Sequence, residues 1–267
     1  MTNNKKHILI IGASSEIGYA AYTHLSNIGF RCSGTSRNKN KSSIFRTFDL
    51  LDDIKTNVNL RDYTHCLFCA GQTSISKYEE YPLESNFLNI DRTIDFLNKA
   101  VEAKIRIIFL SSVAVFPGEK PFYSIKEPPN PTTKYGEAKL LIEKHITDNY
   151  SDSCSIIRLT KVISEVTPFI FNWKKSAEEK KSIEAFNDKY ISPLSISTLV
   201  KVIEYMVTND AFGLFHLGGK DNLTYFEYCK KIFSNEKNFV KLIVAKYSNW
   251  DYPHASLKTY LPKYISY

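Results

Sequence analysis

The sequence predicts an α/β protein: a Rossmann-like, doubly wound parallel sheet with a small C-terminal substrate-binding lobe. Three observations predict it. Short apolar, β-branched runs alternate with helical periodicity through roughly the first 160 residues, the signature of βαβ units. The first run passes directly into a turn bounded by Gly12 and Gly18 and then into a helix, where a doubly wound sheet holds a dinucleotide. After about residue 165 the alternation loosens, so that residues 1–165 read as a nucleotide-binding domain and 166–267 as a smaller lobe partly interleaved with it.

His7–Ile11 reads as the first strand and Glu16 to Ile28 as the first helix, with Ile17, Ala20, Ala21, Leu25 and Ile28 on one face and Gly29 closing it. Phe30–Thr35, Arg46–Phe48, His65–Cys69 and Ile105–Leu110 follow as strands, with a helix over Phe87 to Val101 before the last of them. Residues 122–133, which contain Pro128, Pro129 and Pro131, form a loop feeding a helix from about Thr133 to Asn149. Cys154–Arg158 is a further strand. Beyond it the expected elements are a polar helix over Phe169–Glu184, a helix at Ile196–Val207, a strand at Leu214–Leu217 and a helix at Tyr225–Phe233.

With 43% hydrophobic and 24% charged residues in 267 positions, the chain has the make-up of an ordinary globular protein. Its longest apolar runs, Ile8 to Ile11 and Ile107 to Leu110, fall far short of the ~18–20 residues of a membrane span. The first is also too short for a secretory signal, and the expected location is cytoplasmic. The net charge of +7 is spread along the chain; it helps attract an anionic ligand but lacks the concentrated basic stripe of a nucleic-acid binder. Lys174 to Lys181 reads as a solvated helix face. Cys66 and Cys69 formally make a C-x-x-C pair, read as two small apolar residues of a buried strand because no second pair lies at metal-ligand spacing. His7, His24, His65, His145, His216 and His254 do not cluster, and no metal site is expected.

In the first turn, Gly12 allows the tight bend and Gly18 close helix–strand packing, while Ser14, Ser15, Glu16 and Ile17 line the pyrophosphate position. Ser15 stands where such loops often carry a middle glycine, offering an N–H and a hydroxyl. The second strand ends at Ser36-Arg37, where an acid would bond the ribose 2′-OH of NAD; a hydroxyl and a guanidinium suit a 2′-phosphate instead. The expected cofactor is therefore NADP(H), with NAD(H) the alternative. Asp49 and Leu50 follow the third strand at the adenine edge, and Cys69-Ala70-Gly71 supply small residues beside the cofactor.

Tyr135 and Lys139 are four apart on one helix, with Cβ atoms ~5–6 Å from each other. An ammonium ~4 Å from a phenol contributes on the order of 4 kcal/mol at an effective dielectric of 20. At ~1.36 kcal/mol per pKa unit, that is enough to bring a phenol toward neutral pH as a proton donor and acceptor. Ser112, at the carboxyl edge of the fifth strand and 23 positions before Tyr135, is placed to hold a substrate oxygen against it. Ser112, Tyr135 and Lys139 are thus the candidate catalytic set, and Tyr135 and Lys139 also face the cofactor. Gln72, Ser112, Val113, Tyr135 and Lys161 are the candidate substrate contacts.

These residues resemble the extended short-chain dehydrogenase/reductase family, and within it the dTDP-4-dehydrorhamnose reductase branch. The stretches that carry the resemblance are Ala70-Gly71-Gln72-Thr73 through Glu79, Ser111-Ser112-Val113-Ala114-Val115-Phe116-Pro117-Gly118, Pro129-Asn130-Pro131 ahead of Tyr135, and Ile157-Arg158-Leu159. Asp188-Lys189-Tyr190-Ile191-Ser192-Pro193, Gly213-Leu214-Phe215-His216-Leu217 and Tyr252-Pro253-His254-Ala255-Ser256-Leu257 continue it. The resemblance implies a Rossmann domain, a substrate lobe, a nucleotide-sugar substrate and the set Ser112, Tyr135 and Lys139. Val113-Ala114 stands where dehydratases of the family carry an acidic pair, which disfavours dehydration. Lys161 replaces the aromatic that follows the strand arginine in the rhamnose reductases; it is either a phosphate contact or a solvated lysine. Phe169, Asn172 and Trp173 either line the sugar pocket or pack.

Three functions are compatible with these residues. The first is an NADPH-dependent reductase of a 4-keto-6-deoxy nucleotide sugar in sugar biosynthesis. The second is a nucleotide-sugar 4-epimerase with tightly held NAD. The third is a non-catalytic, cofactor-binding regulatory subunit. A homodimer is the expected assembly.

Overall fold

A computed structural model describes residues 6–38, 44–51, 58–234, 242–245 and 256–261. Its centre is a seven-stranded sheet in the order β11-β6-β5-β4-β1-β2-β3. The strands are β1 (His7–Ile11), β2 (Arg31–Ser36), β3 (Arg46–Thr47), β4 (His65–Phe68), β5 (Arg106–Ser112), β6 (Cys154–Leu159) and β11 (Gly213–Leu217). Every neighbouring pair is parallel. The order reverses between β1 and β4, the switch point above which doubly wound sheets bind ligands.

The central strands are buried along their whole length: all five residues of β1, four of β4 and six of β6. That is why they read as continuous apolar runs rather than alternating ones. One face packs on α1 (Glu16–Asn27) and α7 (Ile196–Asn209) through Ile8, Ile10, Leu25, Leu199 and Ile203. The other packs on α4 (Thr93–Glu102) and α5 (Lys134–Tyr150) through Leu9, Phe68, Phe96, Phe109 and Ile142. Cys66 lies buried within β4 and Cys69 half-buried just past it, both as free thiols.

The region expected to form the second lobe divides. Residues 196–217 complete the main sheet, because β11 pairs with β6 over five residues and α7 covers the same face as α1. A separate apolar cluster of Ile170, Trp173, Ala177, Ile183, Ala185, Cys229 and Phe233 makes the smaller lobe. It is built from α6 (Pro168–Glu178), β8 (Ile183–Phe186), α8 (Tyr225–Ile232) and β13 (Leu242–Ala245). Short ladders β7 (Val162–Ile163) with β10 (Leu194–Ser195), and β9 (Tyr190–Ile191) with β12 (Leu223–Thr224), join this lobe to the sheet.

Two helices differ from the sequence expectation. The helix expected over Phe169–Glu184 ends at Glu178, and Lys180 turns left-handed at φ 54° while Lys181 N–H closes on Ser176 O. Ile183 and Ala185 then alternate with exposed Glu184 and are pulled into the lobe core as a strand. A period of two wins there over a helical reading, so Lys174 to Lys181 is part helix and part turn. The helix expected from Phe87 to Val101 begins with a π-helical turn over Phe87–Arg92 before α4. It is preceded by two short helices, α2 (Ile75–Glu80) and α3 (Pro82–Asn86). Among the described residues no helix is long and apolar enough to cross a membrane.

At the amino edge of the sheet, Asp210 caps α7 in the left-handed region at φ 51°. Its carboxylate accepts from Lys6 Nζ at 2.8 Å, His65 Nε2 at 2.8 Å and Arg106 Nη1 at 2.6 Å. These partners hold its pKa down at about 2 against the opposing effect of burial. Asn keeps the left-handed cap but loses the charge, so Asp210→Asn is expected to lower stability at pH 7 by ~1–3 kcal/mol in urea unfolding. Because the folded pKa is depressed, this contribution is present above about pH 4 and is lost as pH falls toward about 2. The two unfolding curves are expected to converge there.

Candidate active site

The turn after β1 is built by backbone geometry. Gly12 sits at φ +79° with Ala70 N 3.1 Å from where its Cβ would be, and a Cβ on Gly18 would meet Gly12 O at 2.3 Å. Both positions require glycine if the strand, the turn and the start of α1 are to stay packed. Ser15 is the N-cap of α1: its Oγ accepts from Gly18 N–H at 3.1 Å, and its own N–H, expected to face a phosphate, donates to Gly12 O at 3.0 Å. Its hydroxyl proton is still there to donate. Ser14 is exposed and Ile17 half-buried. The Glu16 carboxylate accepts from Ser164 Oγ and, at 2.9 Å, from Thr167 Oγ1. It therefore ties the turn to the loop that follows β7.

Ser36 is buried at the end of β2, with its Oγ accepting from Asn38 N–H at 3.3 Å, and Arg37 beside it is exposed. Asp49 Oδ1 accepts from Leu51 N–H at 3.1 Å, and the carbonyl of buried Leu50 accepts from Arg92 Nε at 2.6 Å. Cys69, Ala70 and Gly71 follow β4, with Gly71 at φ +137°. The π-helical turn contributes a residue that the sequence reading missed. Buried Asn89 accepts Gln72 N–H at Oδ1 (2.7 Å) and donates Nδ2 to Gln72 O (2.8 Å). It pins Gly71 and Gln72 at the carboxyl edge of β4. The i+5 spacing of such turns leaves no mark in apolar periodicity, although they recur at functional sites.

Ser112 ends β5 and caps a 3-10 turn over Val113–Val115, its Oγ accepting from Ala114 N–H at 3.1 Å. The first turn of α5 presses on this turn: a Cβ on Gly136 would lie 2.0 Å from Ala114 O. That close approach sets Tyr135, 8% exposed, beside the Ser112 turn. Tyr78 packs edge-on to its ring with centroids 6.1 Å apart. Lys139 Nζ donates to Leu110 O at 2.8 Å and lies 4.5 Å from the Phe109 ring centroid and 5.8 Å from that of Tyr135. The catalytic candidates Ser112, Tyr135 and Lys139 are thus together, at the carboxyl end of β5.

The electrostatics differ from the expected pairing. Burial pushes the Tyr135 phenol up to about 12, opposed by the hydrogen bond with Ser112. The ammonium that was to acidify it donates to Leu110 O instead, and desolvation sets the direction of the phenol's shift. Burial brings Lys139 itself down to about 8, with Glu143 and then Cys69 acting in the opposite direction. Tyr135 is therefore a protonated donor at neutral pH rather than a ready base.

Val113 is buried in the turn beneath Tyr135, and Lys161 is exposed, bonded through its carbonyl to Leu194 N–H at 2.9 Å. Phe169 and Trp173 pack edge-to-face with Tyr225 in the lobe. The described histidines hold individual partners: His24 with Glu204, His65 with Asp210, His145 with Asn98, His7 with Asp62 O, and His216 with Arg158. His254, with Tyr252-Pro253 and Ala255, lies outside the described residues. Among the described residues no group of three or more His, Cys, Asp or Glu side chains is set to hold a metal.

A nicotinamide dinucleotide fits this arrangement. The Gly12–Gly18 cradle, the exposed guanidinium after β2 and the small Cys69-Ala70-Gly71 edge form one track across the switch point toward Tyr135 and Lys139.

The chain resembles the beta subunit of methionine adenosyltransferase 2 from Bos taurus, 22% identical over 234 residues that cover 83% of this chain and 70% of that protein. In fold it matches dTDP-4-dehydrorhamnose reductase from Bacillus anthracis, solved in complex with NADP, at a TM-score of 0.81 and 16% identity over 95% of this chain and 89% of that one. It also matches UDP-glucose 4-epimerase from Thermus thermophilus, solved with NAD, at a TM-score of 0.79 and 15% identity over 94% and 90%. The model of the RmlD substrate binding domain family matches residues 6–256, nearly the whole chain. The chain belongs to that family, within the extended short-chain dehydrogenases/reductases.

Proposed function

We propose that the protein is an NADPH-dependent reductase of a 4-keto-6-deoxy nucleotide sugar. The observation that carries the reading is the junction of Ser112, Tyr135 and Lys139 at the carboxyl edge of a sheet whose first turn is a dinucleotide cradle. When bound, the nicotinamide supplies the hydride that goes to C4 of the sugar. Ser112 Oγ holds the ketone oxygen, and Tyr135 gives its proton to the oxygen as negative charge develops there. A phenol held at about 12 is protonated throughout the neutral range, which suits reduction. Lys139, released from Leu110 O, reaches the nicotinamide ribose, and its positive charge stabilises the phenolate left on Tyr135. Ser36 and Arg37 give the preference for a 2′-phosphate, and exposed Lys161 is the candidate contact for the substrate's phosphates. The fold match to a reductase solved with NADP supports the cofactor.

Two other readings have specific support. The fold match to a 4-epimerase solved with NAD favours an epimerase with retained cofactor. The sequence match to the beta subunit of methionine adenosyltransferase 2 favours a regulatory subunit. Purification separates the three. The reductase is expected to arrive without stoichiometric cofactor and to oxidise added NADPH when given a 4-keto-6-deoxy nucleotide sugar. Tightly bound NAD(H) would mark the epimerase, and a partner enzyme at fixed stoichiometry with no turnover the regulatory subunit.

Tyr135→Phe is expected to lower kcat by at least ~100-fold while leaving NADPH affinity within a few-fold, as read by stopped-flow turnover and a binding isotherm. With Lys139 at about 8, the required ammonium is lost as pH rises through that value. The logarithm of kcat/KM is expected to be flat below about pH 7.5 and to fall above about 8. A profile still flat at pH 9.5 would contradict a role for the Lys139 charge.

A further inference from the structure

Behind the Tyr135–Lys139 turn lies a buried charged cluster with no direct part in the chemistry. Glu143, one helical turn beyond Lys139 on α5, and Arg158 of β6 are each 4% exposed. Arg158 Nε lies 3.0 Å from both carboxylate oxygens and its Nη2 2.6 Å from Oε2. Ser111 Oγ donates to Glu143 Oε1. Ser111 and Arg158 face each other in the β5–β6 register, and Ser111 follows Leu110, whose carbonyl receives Lys139. Two consecutive residues of β5 therefore hold the two ionised groups of one turn of α5. On the far side, His216 Nε2 of β11 lies 3.3 Å from Arg158 Nη1, and Phe116 stacks beneath the guanidinium at 5.1 Å.

We propose that Glu143 is a positioning residue for the reaction: its carboxylate, clamped by Arg158 and Ser111, is the counter-charge that keeps the buried Lys139 amine an ammonium at neutral pH. The proposal rests on Lys139 serving the cofactor and proton site. Among the described residues, the titratable groups that act on or lie against Lys139 are Tyr135 and Glu143 on α5 and Cys69 after β4. Glu143 faces Arg158, which in turn faces His216, and Glu127 acts on His216 from outside. Among the described residues Glu143 is thus the one carboxylate acting on Lys139, and it works against the burial that lowers the amine to about 8. His216 is held neutral at about 4, by burial first and then by Arg158, and adds no further positive charge. Removing the carboxylate leaves two buried cations and no anion, which disfavours the ammonium.

The test reads the amine directly, so it stands even if no sugar is turned over. In the full-length protein with lysines carbon-13 labelled at Cε, Lys139 is assigned by its loss in Lys139→Arg and titrated by NMR. Glu143→Gln is expected to move its midpoint down by about one pH unit. Arg158→Gln, which frees the carboxylate, is expected to move it up. Loss of packing alone would shift both variants in the same direction. If unpaired Arg158 prevents Glu143→Gln from folding, the double variant Glu143→Gln/Arg158→Gln carries no unpaired guanidinium and is expected to titrate below the wild type. A Lys139 midpoint unchanged in the variants lacking Glu143, or moved the same way by Glu143→Gln and Arg158→Gln, overturns the proposal. Where turnover is measurable, the basic limb of kcat/KM is expected to follow the NMR midpoint. Absence of turnover in the wild-type protein, together with a midpoint shifted in Glu143→Gln, would count against the reductase reading and not against this one.

Discussion

The seam between α5 and the carboxyl end of β5 is the contact on which the rest of the site depends. It is made at three levels: Gly136 against the Ala114 carbonyl, Lys139 on the Leu110 carbonyl, and Glu143 on the Ser111 hydroxyl. Each level lies about one turn along the helix from the previous one, so the pitch of α5 is matched to a strand end and the 3-10 turn after it. Any side chain at position 136 would hold the helix off the turn and open the contact between Tyr135 and Ser112. The glycine between the tyrosine and the lysine is therefore as much a part of the site as either of them.

Burial of this seam decides its electrostatics. A solvent-exposed Tyr–Lys pair would let the cation lower the phenol. Here desolvation acts on both groups, raising Tyr135 and lowering Lys139, so that each moves toward its neutral form. The consequence is a site with a firm proton donor and a lysine whose charge needs support from behind. The other end of the cleft is handled differently. Glu16 places a carboxylate beside the glycine-bounded turn after β1, and the hydroxyls of Ser164 and Thr167 occupy it. That bond also links the first βα unit to the loop leading into the lobe.

The parallel sheet and the cradle were legible because buried parallel strands and a glycine-bounded turn leave strong local marks. β1, α1, β4, β5, α5 and β6 fall within a residue or two of where periodicity puts them, and Ser112, Tyr135 and Lys139 lie at the end of β5 and on the first turns of α5. What escaped lacks a local mark. Asn89 acts from a π-helical turn, and the hydrogen bonds among Ser111, Glu143, Arg158 and His216 join residues up to 58 positions apart. Ile183–Phe186 became a strand because a lobe core claimed it. The strength of Lys139's pull on Tyr135 could not be read from spacing, since i,i+4 proximity says nothing about which carbonyl the ammonium chooses.

The most direct measurement is a crystal structure of the protein with NADPH bound. The pyrophosphate is expected over the Gly12–Gly18 turn, the 2′-phosphate at Ser36 and Arg37, and Lys139 Nζ transferred from Leu110 O to a nicotinamide ribose hydroxyl at about 3 Å, with Tyr135 facing the nicotinamide. A dinucleotide bound elsewhere, or a nicotinamide ring remote from Tyr135 with Lys139 still on Leu110 O, would contradict it.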